Sequence, residues 1–501
     1  VLGKLFADSD PDRIPLSHRV ALGGVWIFAL RFFSKGLGFI RTIILARILS
    51  PEDFGLFGVA MLSIATIETL SQTGFQTALV QKKENIESYL NTAWTVSIFR
   101  GIILFLILFA SAPFVADFFN SNESIWAVRI LSVSCLLNGF RNIHTVYFNK
   151  ELEMNKQFLL EITSTLSDLC VALTLAFALR SVWALILAGL AGNFMQLLMS
   201  YIIAPRRPQI HFDKQKFCEL FSFGKWVISS GVLVFLITQG DDIFVGKIFG
   251  VTALGLYQMA YLLSNLPATE IAHVVSQVSF PAYAKMQNNL PKLREAYLKV
   301  LQLIALISIF LSGGIFIFAD DFTQFVLGDK WLSVVPLIQI LVFAGLMRSI
   351  AAASGPLFLA LGKPNVNTYL HFIRFLIIAG LIYPVSAKYG MEGISIVIVL
   401  SILISNIGFG VLAARITECR ISDYCKRIVL PLVVGLLCAF LTLWLRSLMK
   451  AGFFELGVLV LVWTASYVGL TCVFDKLCKS KVHDLMLLIL EPFQQSKIDS
   501  I

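Results

Sequence analysis

Apolar runs longer than eighteen residues follow one another along almost the whole chain, and only short polar stretches separate them. A helix of about 20 apolar residues crosses the ~30 Å hydrocarbon core of a bilayer, so each run is long enough to be a transmembrane helix. The runs fall near 18–47, 54–80, 88–116, 124–148, 157–180, 182–204, 217–240, 253–282, 298–319, 332–361, 366–386, 391–414, 425–446 and 453–474, which predicts about 14 spans. The longest connection, "APRRPQIHFDKQKF", is too short to form a domain of its own. The short alternating segments that build a transmembrane β-barrel are absent. The expected fold class is all-α, in a polytopic membrane protein.

The pattern repeats itself. "ILARILSPEDFGLFGVAML" at 44–62 aligns without a gap with "FVGKIFGVTALGLYQMAYL" at 244–262. Ile48 meets Ile248, Gly55 meets Gly255, Leu56 meets Leu256 and Ala60 meets Ala260. "FVADFF" (114–119) recurs as "FADDFT" (318–323), and Trp126 then matches Trp331. "LLNGFRNI" (136–143) matches "FAGLMRSI" (343–350), which pairs Arg141 with Arg348. Six spans are thus written twice. An even number keeps both copies in the same orientation, so the repeat is parallel and its axis lies along the membrane normal. The expected organisation is a tail (1–17), a six-helix lobe (18–206), a cytoplasmic linker (207–216), a second six-helix lobe (217–416), two extra helices (417–475) and an amphipathic cytoplasmic tail (476–501). Two such lobes, arranged as a V, would enclose a cavity and work by alternating access.

Composition agrees with the pattern. The chain is 57% hydrophobic and has a mean hydropathy of +0.81, more apolar surface than a soluble protein of this length could hide. The start, "VLGKLFADSDPDRIPLSHRV", is polar and acidic and lacks the apolar core of a signal peptide, so the first span is expected to direct its own insertion. Lys and Arg concentrate in "PRRPQIHFDKQK", "AKMQNNLPKLREAYLK" and "RITECRISDYCKR". The positive-inside rule places these loops, and with them both termini, in the cytoplasm. Anionic lipid head groups account for the net charge of +9 without a nucleic-acid partner. The eight cysteines show no metal-ligand spacing and read as reduced and structural; no metal or cofactor is implied.

Charge inside the spans changes the picture. A basic residue near the bilayer centre costs roughly 2.5–3.5 kcal/mol even on the lenient insertion scale. Arg41, Arg129 and Lys225 lie near span ends and are expected to snorkel. Arg31, Lys35, Arg100, Arg141, Arg348 and Arg374 sit deeper. A water-filled cationic cavity would solve their energetic problem and would favour an anionic ligand, since guanidinium groups suit phosphate oxygens bidentately. The alternative is internal pairing with buried acids such as Glu68, Glu161, Asp168 and Glu270. Those acids have a second use, because a buried carboxylate can exchange protons. Glu68, Asp168, Glu270 and nearby His273 are therefore candidates for ion coupling to H+ or Na+. Asp241 and Asp242, in "TQGDDIFVGKIFG", are expected at the outer membrane surface, with Gly246, Gly250 and Gly255 allowing a tight turn.

The segment "ARILSPEDFGLFGVAMLSIATIETLSQTGFQTALVQ", with "QGDDIFVGKIFGVTALGLYQMA" opening the second copy, resembles the Wzx-type polysaccharide transporters. These belong to the multidrug/oligosaccharidyl-lipid/polysaccharide exporter superfamily, and the lipopolysaccharide and colanic-acid exporter branch is the most similar. The resemblance runs from about residue 18 to residue 475. It implies a non-enzymatic flippase of the bacterial inner membrane that moves an undecaprenyl-pyrophosphate-linked oligosaccharide outward, driven by H+ or Na+. It allows a glycan polymerase as partner and membrane lipids as surroundings. A multidrug or organic-cation antiporter of the same superfamily would want an acidic cavity, which the basic excess disfavours. A membrane-embedded glycan polymerase or transferase would want a large outer loop, and none is present.

Overall fold

The computed structural model describes residues 16–82, 86–151, 153–204, 206–266, 279–280, 282–363, 365–449 and 452–478. Glu270, His273 and the proposed C-terminal amphipathic tail from 479 onward lie outside these, as does the side chain of Lys225. The described residues are helical and include no strand. The first copy of the repeat runs through α1 (Leu16–Ile48), α2 (Pro51–Leu70), α3 (Phe75–Gln81), α4 (Glu87–Phe119), α5 (Ser124–Leu131), α6 (Val133–Gly139), α7 (Val146–Lys150), α8 (Met154–Leu179) and α9 (Trp183–Ile203). The second runs through α10 (Lys214–Phe249), α11 (Val251–Ser264), α12 (Leu290–Phe322), α13 (Val335–Ala351), α14 (Ser354–Ala360) and α15 (Asn365–Ile416). The additional helices are α16 (Ile421–Leu448) and α17 (Phe453–Cys478). The duplication persists in element lengths: α4 and α12 are both 33 residues long. The single run α15 bends at Gly390 and so carries both spans expected at 366–386 and 391–414. Nine helices among the described residues are long and apolar enough to cross a membrane.

Local chemistry sets the helix starts. Ser50 caps α2 with a reciprocal box: its Oγ accepts from the Asp53 N–H at 3.2 Å, and its own N–H donates to Asp53 Oδ2 at 2.9 Å. Pro51 occupies the first turn, where its missing N–H is no loss. The Asp213 carboxylate caps α10 by accepting from the N–H groups of Lys216 and Gln215. These bonds, that of Lys216 foremost, hold its pKa below the ordinary carboxylate value. The cap is complete at neutral pH and is lost only as pH falls through that lowered value.

The chain forms two compact units, Val1–Leu256 and Tyr257–Ile501. In the first, α1, α8 and α9 close a small-residue core of Leu45, Leu49, Ala172, Ala176, Ala184 and Ala188. Helix α10 also belongs to this unit and packs on α2, α3 and α4. It continues through Asp241, which is buried, and ends at Phe249, so both aspartates sit within the helix. Gly250, at φ 88°, makes the expected turn into α11. In the second unit α16 and α17 lie against α12. Trp463 Nε1 donates to the Phe310 carbonyl at 3.2 Å, and the Tyr467 hydroxyl donates to the Leu306 carbonyl at 2.8 Å. Outward apolar residues such as Phe114, Phe440 and Leu461 are at least 70% exposed and suit a hydrocarbon surround.

The repeated sequence packs against itself. A Cβ on Gly55 would lie 1.9 Å from the Val251 carbonyl oxygen, and one on Gly255 would lie 2.0 Å from the Pro51 carbonyl oxygen. The two contacts are images of each other under the repeat, as in a two-fold interface. Only glycine lets the start of α2 and the start of α11 approach this closely. Gly55→Ala and Gly255→Ala are each expected to destabilise the protein by about 1–3 kcal/mol through overpacking. Thermal unfolding in detergent checks this, and an unchanged midpoint would refute the contact.

A polar cavity at two broken helices

Two spans that the sequence writes as continuous are interrupted. The run 54–80 breaks after Leu70 and resumes at Phe75, with Gly74 in the left-handed conformation at φ 68°. The run 124–148 breaks across 140–142, between α6 and a short 3₁₀ turn at Ile143–Thr145. Polar residues cause both: "SQTG" and "RN" interrupt apolar sequence, and their side chains compete with the backbone for hydrogen bonds. Non-helical backbone at membrane depth is tolerated only where protein or a water-filled cavity satisfies it.

Here a cavity of about 380 Å³ lies between the breaks, walled by α2, α3, α4 and α6. Helices α4 and α6 meet closely at Gly101 and Gly139, where added Cβ atoms would come within 2.7 Å and 2.9 Å of backbone carbonyls. Glu68, Arg100 and Arg141 all line it, with Gln72, Gln76 and Asn138. Three predicted site residues are therefore brought together.

Their roles differ. Arg100 Nε donates to the Ser71 carbonyl at 2.9 Å and to Ser71 Oγ at 3.1 Å, and Nη2 donates to the Glu68 carbonyl at 3.0 Å. These carbonyls lie in the last turn and at the C-cap of α2, where acceptors lack intrahelical partners and the negative end of the helix dipole falls. Arg100 thus seals the broken helix. Asn142 does the same at the second break. It is fully buried, its N–H donates to Ser200 Oγ at 3.1 Å, and its Nδ2 donates to the Arg206 carbonyl at 2.8 Å. The Tyr201 hydroxyl donates to the Phe140 carbonyl at 2.8 Å. Arg141 stands at this break, half-buried. Among the described residues its guanidinium has no hydrogen-bond or ion-pair partner; Glu161 acts on it only as a nearby charge.

The remaining candidates lie elsewhere. Arg31 is half-buried and Lys35 exposed on α1, and neither lines the cavity. Arg41 does not snorkel: its Nε pairs with Asp168 Oδ2 at 2.8 Å, because Gly192 leaves room for Asp168 beside α9. Arg348 and Arg374 belong to the second unit. Arg348 hydrogen-bonds the Tyr261 hydroxyl and lies 4.8 Å from that ring's centre, and Arg374 is buried on α15. A larger groove in the second unit, about 510 Å³, is lined by apolar side chains such as Phe316, Phe343 and Leu403, and its one polar side chain is Gln339. The sequence singled out Glu68, Arg100 and Arg141 but missed Gln72, Gln76, Asn138 and Asn142, whose signal was amides inside apolar runs.

Residues 44–336, more than half the chain, match the family described as "Polysaccharide biosynthesis protein". The chain belongs to this polysaccharide biosynthesis family. It is 26% identical over 375 residues, 73% of this chain and 75% of the relative, to the lipopolysaccharide biosynthesis protein WzxC of Escherichia coli K12. It is 28% identical over 298 residues to the teichuronic acid biosynthesis protein TuaB of Bacillus subtilis, covering 59% of this chain and 62% of TuaB. In fold it is similar to the lipid II flippase MurJ in an inward closed conformation, with a TM-score of 0.74 at 15% identity over 91% of this chain and 99% of MurJ. The expected likeness to Wzx-type polysaccharide transporters holds, in a multi-pass membrane protein.

In this family member, Arg100→Gln is expected to lower stability by about 2 kcal/mol, since it orphans carbonyls at a buried helix end. Arg141→Gln is expected to leave the thermal midpoint unchanged or to raise it, since it removes an unmatched charge. Equal losses in the two variants would refute this division of labour. Asp168→Asn leaves Arg41 uncompensated and is expected to cost about 3–5 kcal/mol, with the double change Arg41→Met, Asp168→Leu restoring stability. Thermal unfolding of the Asp168→Asn and double variants decides it.

Proposed function

We propose that the protein is a flippase that moves an undecaprenyl-pyrophosphate-linked oligosaccharide across the bacterial inner membrane by alternating access. The observation that carries this reading is the polar cavity set among apolar spans, with Arg141 free to meet an anionic head group. The names of WzxC, TuaB and MurJ support it, since they describe polysaccharide biosynthesis and lipid-linked cargo. In this reading the head group passes through protein while the polyprenyl tail stays in lipid. The work is transport, with no covalent step for the chain to catalyse. Both termini face the cytoplasm, as the basic loops require, and a glycan polymerase takes the delivered unit.

Coupling to H+ or Na+ falls on the acids. Glu68 lines the cavity and is the strongest candidate. Asp168 is held by Arg41. Glu270 and His273 lie outside the described residues.

Purified protein in liposomes, loaded with a short fluorescent glycan on polyprenyl pyrophosphate, tests the reading. A membrane-impermeant glycosidase reports substrate reaching the outer leaflet. Protein-dependent exchange is expected, falling at least about tenfold in Arg141→Glu, which replaces an attractive charge with a repulsive one. Failure to exchange with or without an imposed proton or sodium gradient would overturn the reading.

A further inference from the structure

We propose that the cavity of the first unit reads the saccharide of the cargo and not its pyrophosphate, and that the sugar it selects carries one carboxylate, held by Arg141. This inference rests on the translocation reading above.

The charge inventory of the wall decides between the two anions. Arg100 is held by the Ser71 and Glu68 carbonyls and the Ser71 hydroxyl, and the nearby Glu68 carboxylate offsets its charge. Glu161 accepts from Gln157 Nε2 on its own helix and makes no hydrogen bond or ion pair with Arg141. Arg141 is thus the one lining cation among the described residues without a partner. The Glu68 carboxylate stands in the same wall. A pyrophosphate brings more than one negative charge into this surround, where an uncompensated charge is expensive. One guanidinium carries one charge, which a single carboxylate balances and a pyrophosphate exceeds, and its fork can hold that carboxylate bidentately.

The rest of the lining fits a sugar. Gln72, Gln76 and Asn138 each offer donors and an acceptor, and Thr73 and Thr145 offer hydroxyls. Sugar hydroxyls both donate and accept, so amides serve them, whereas phosphate oxygens only accept and leave the amide carbonyls idle. The volume of about 380 Å³ falls within the range of small-molecule sites. A neutral sugar fills the same space but leaves Arg141 unmatched. A site built to bond a group rejects the analogue that lacks it.

Two measurements on the full chain test this. Ligand-observed NMR compares a free disaccharide containing glucuronate, its all-glucose counterpart and inorganic pyrophosphate. The acidic disaccharide is expected to bind about tenfold or more tightly than the neutral one, as a charge-assisted pair warrants. Arg141→Gln is expected to erase that preference, and Arg141→Lys, which keeps the charge but not the fork, to retain part of it. No binding of the acidic disaccharide, a preference that survives Arg141→Gln, or displacement by pyrophosphate at lower concentration than by free glucuronate would each overturn the proposal. The second measurement uses the liposome exchange with acidic and neutral glycans on the same polyprenyl pyrophosphate. The rate ratio is expected to favour the acidic glycan and to collapse toward unity in Arg141→Gln. If that variant slows both equally, Arg141 reads the shared pyrophosphate and the proposal fails while the flippase reading stands. If the wild type exchanges neither, the flippase reading fails, and the NMR comparison alone judges the cavity.

Discussion

Every backbone N–H and C=O in the hydrocarbon layer must find a partner inside the protein, and this structure is organised around that demand. Unbroken helices meet it automatically. The two broken spans do not, and each break recruits a side chain to replace the missing helical bonds. Arg100 closes the end of α2. Asn142, with Ser200 and Tyr201 from α9, closes the gap after α6. The cavity exists because both interruptions open on the same side of α4, where Gly101 lets α6 pack close enough to form a wall. Polar space in the membrane is thus a consequence of where helices stop.

The repeat supplies the second constraint. A duplicated sequence tends to place equivalent segments against each other, and here the contact is so close that both copies keep glycine at the matching position. The capping box of Ser50 and Asp53 fixes where α2 begins, and Gly250 fixes where α11 begins. The approach of Gly55 to Val251 and of Gly255 to Pro51 follows from those two starts. This places α10 within the first compact unit, although the sequence counts it as the first helix of the second copy.

Span positions, the duplication and the extra pair of helices were legible because apolar periodicity and a near-constant offset are long signals. The breaks were not. "SQTG" and "RN" are a few residues inside runs that still average as apolar, so a window of membrane length passes over them. Charge was half legible. Unpaired basic residues at depth pointed to a cavity, and Glu68, Arg100 and Arg141 do share one. Which of the two arginines is free depends on where α2 ends, a tertiary fact absent from composition. Arg41 shows the same limit: its place near a span end suggested snorkelling, but a glycine on another helix opens the space that lets Asp168 meet it.

The deep cations are stabilised in different ways, and the difference bears on function. Arg41 is neutralised by a carboxylate, Arg100 is held by carbonyls at a helix end, and Arg348 is held by the hydroxyl and face of Tyr261. Each of these groups is already engaged by the fold itself. Arg141 alone among the cavity's cations is not so engaged. An unmatched guanidinium in a low-dielectric wall costs stability that the resting protein does not recover. A group kept under that penalty is explained by a ligand that relieves it, and the neighbouring Glu68 keeps that ligand's charge small.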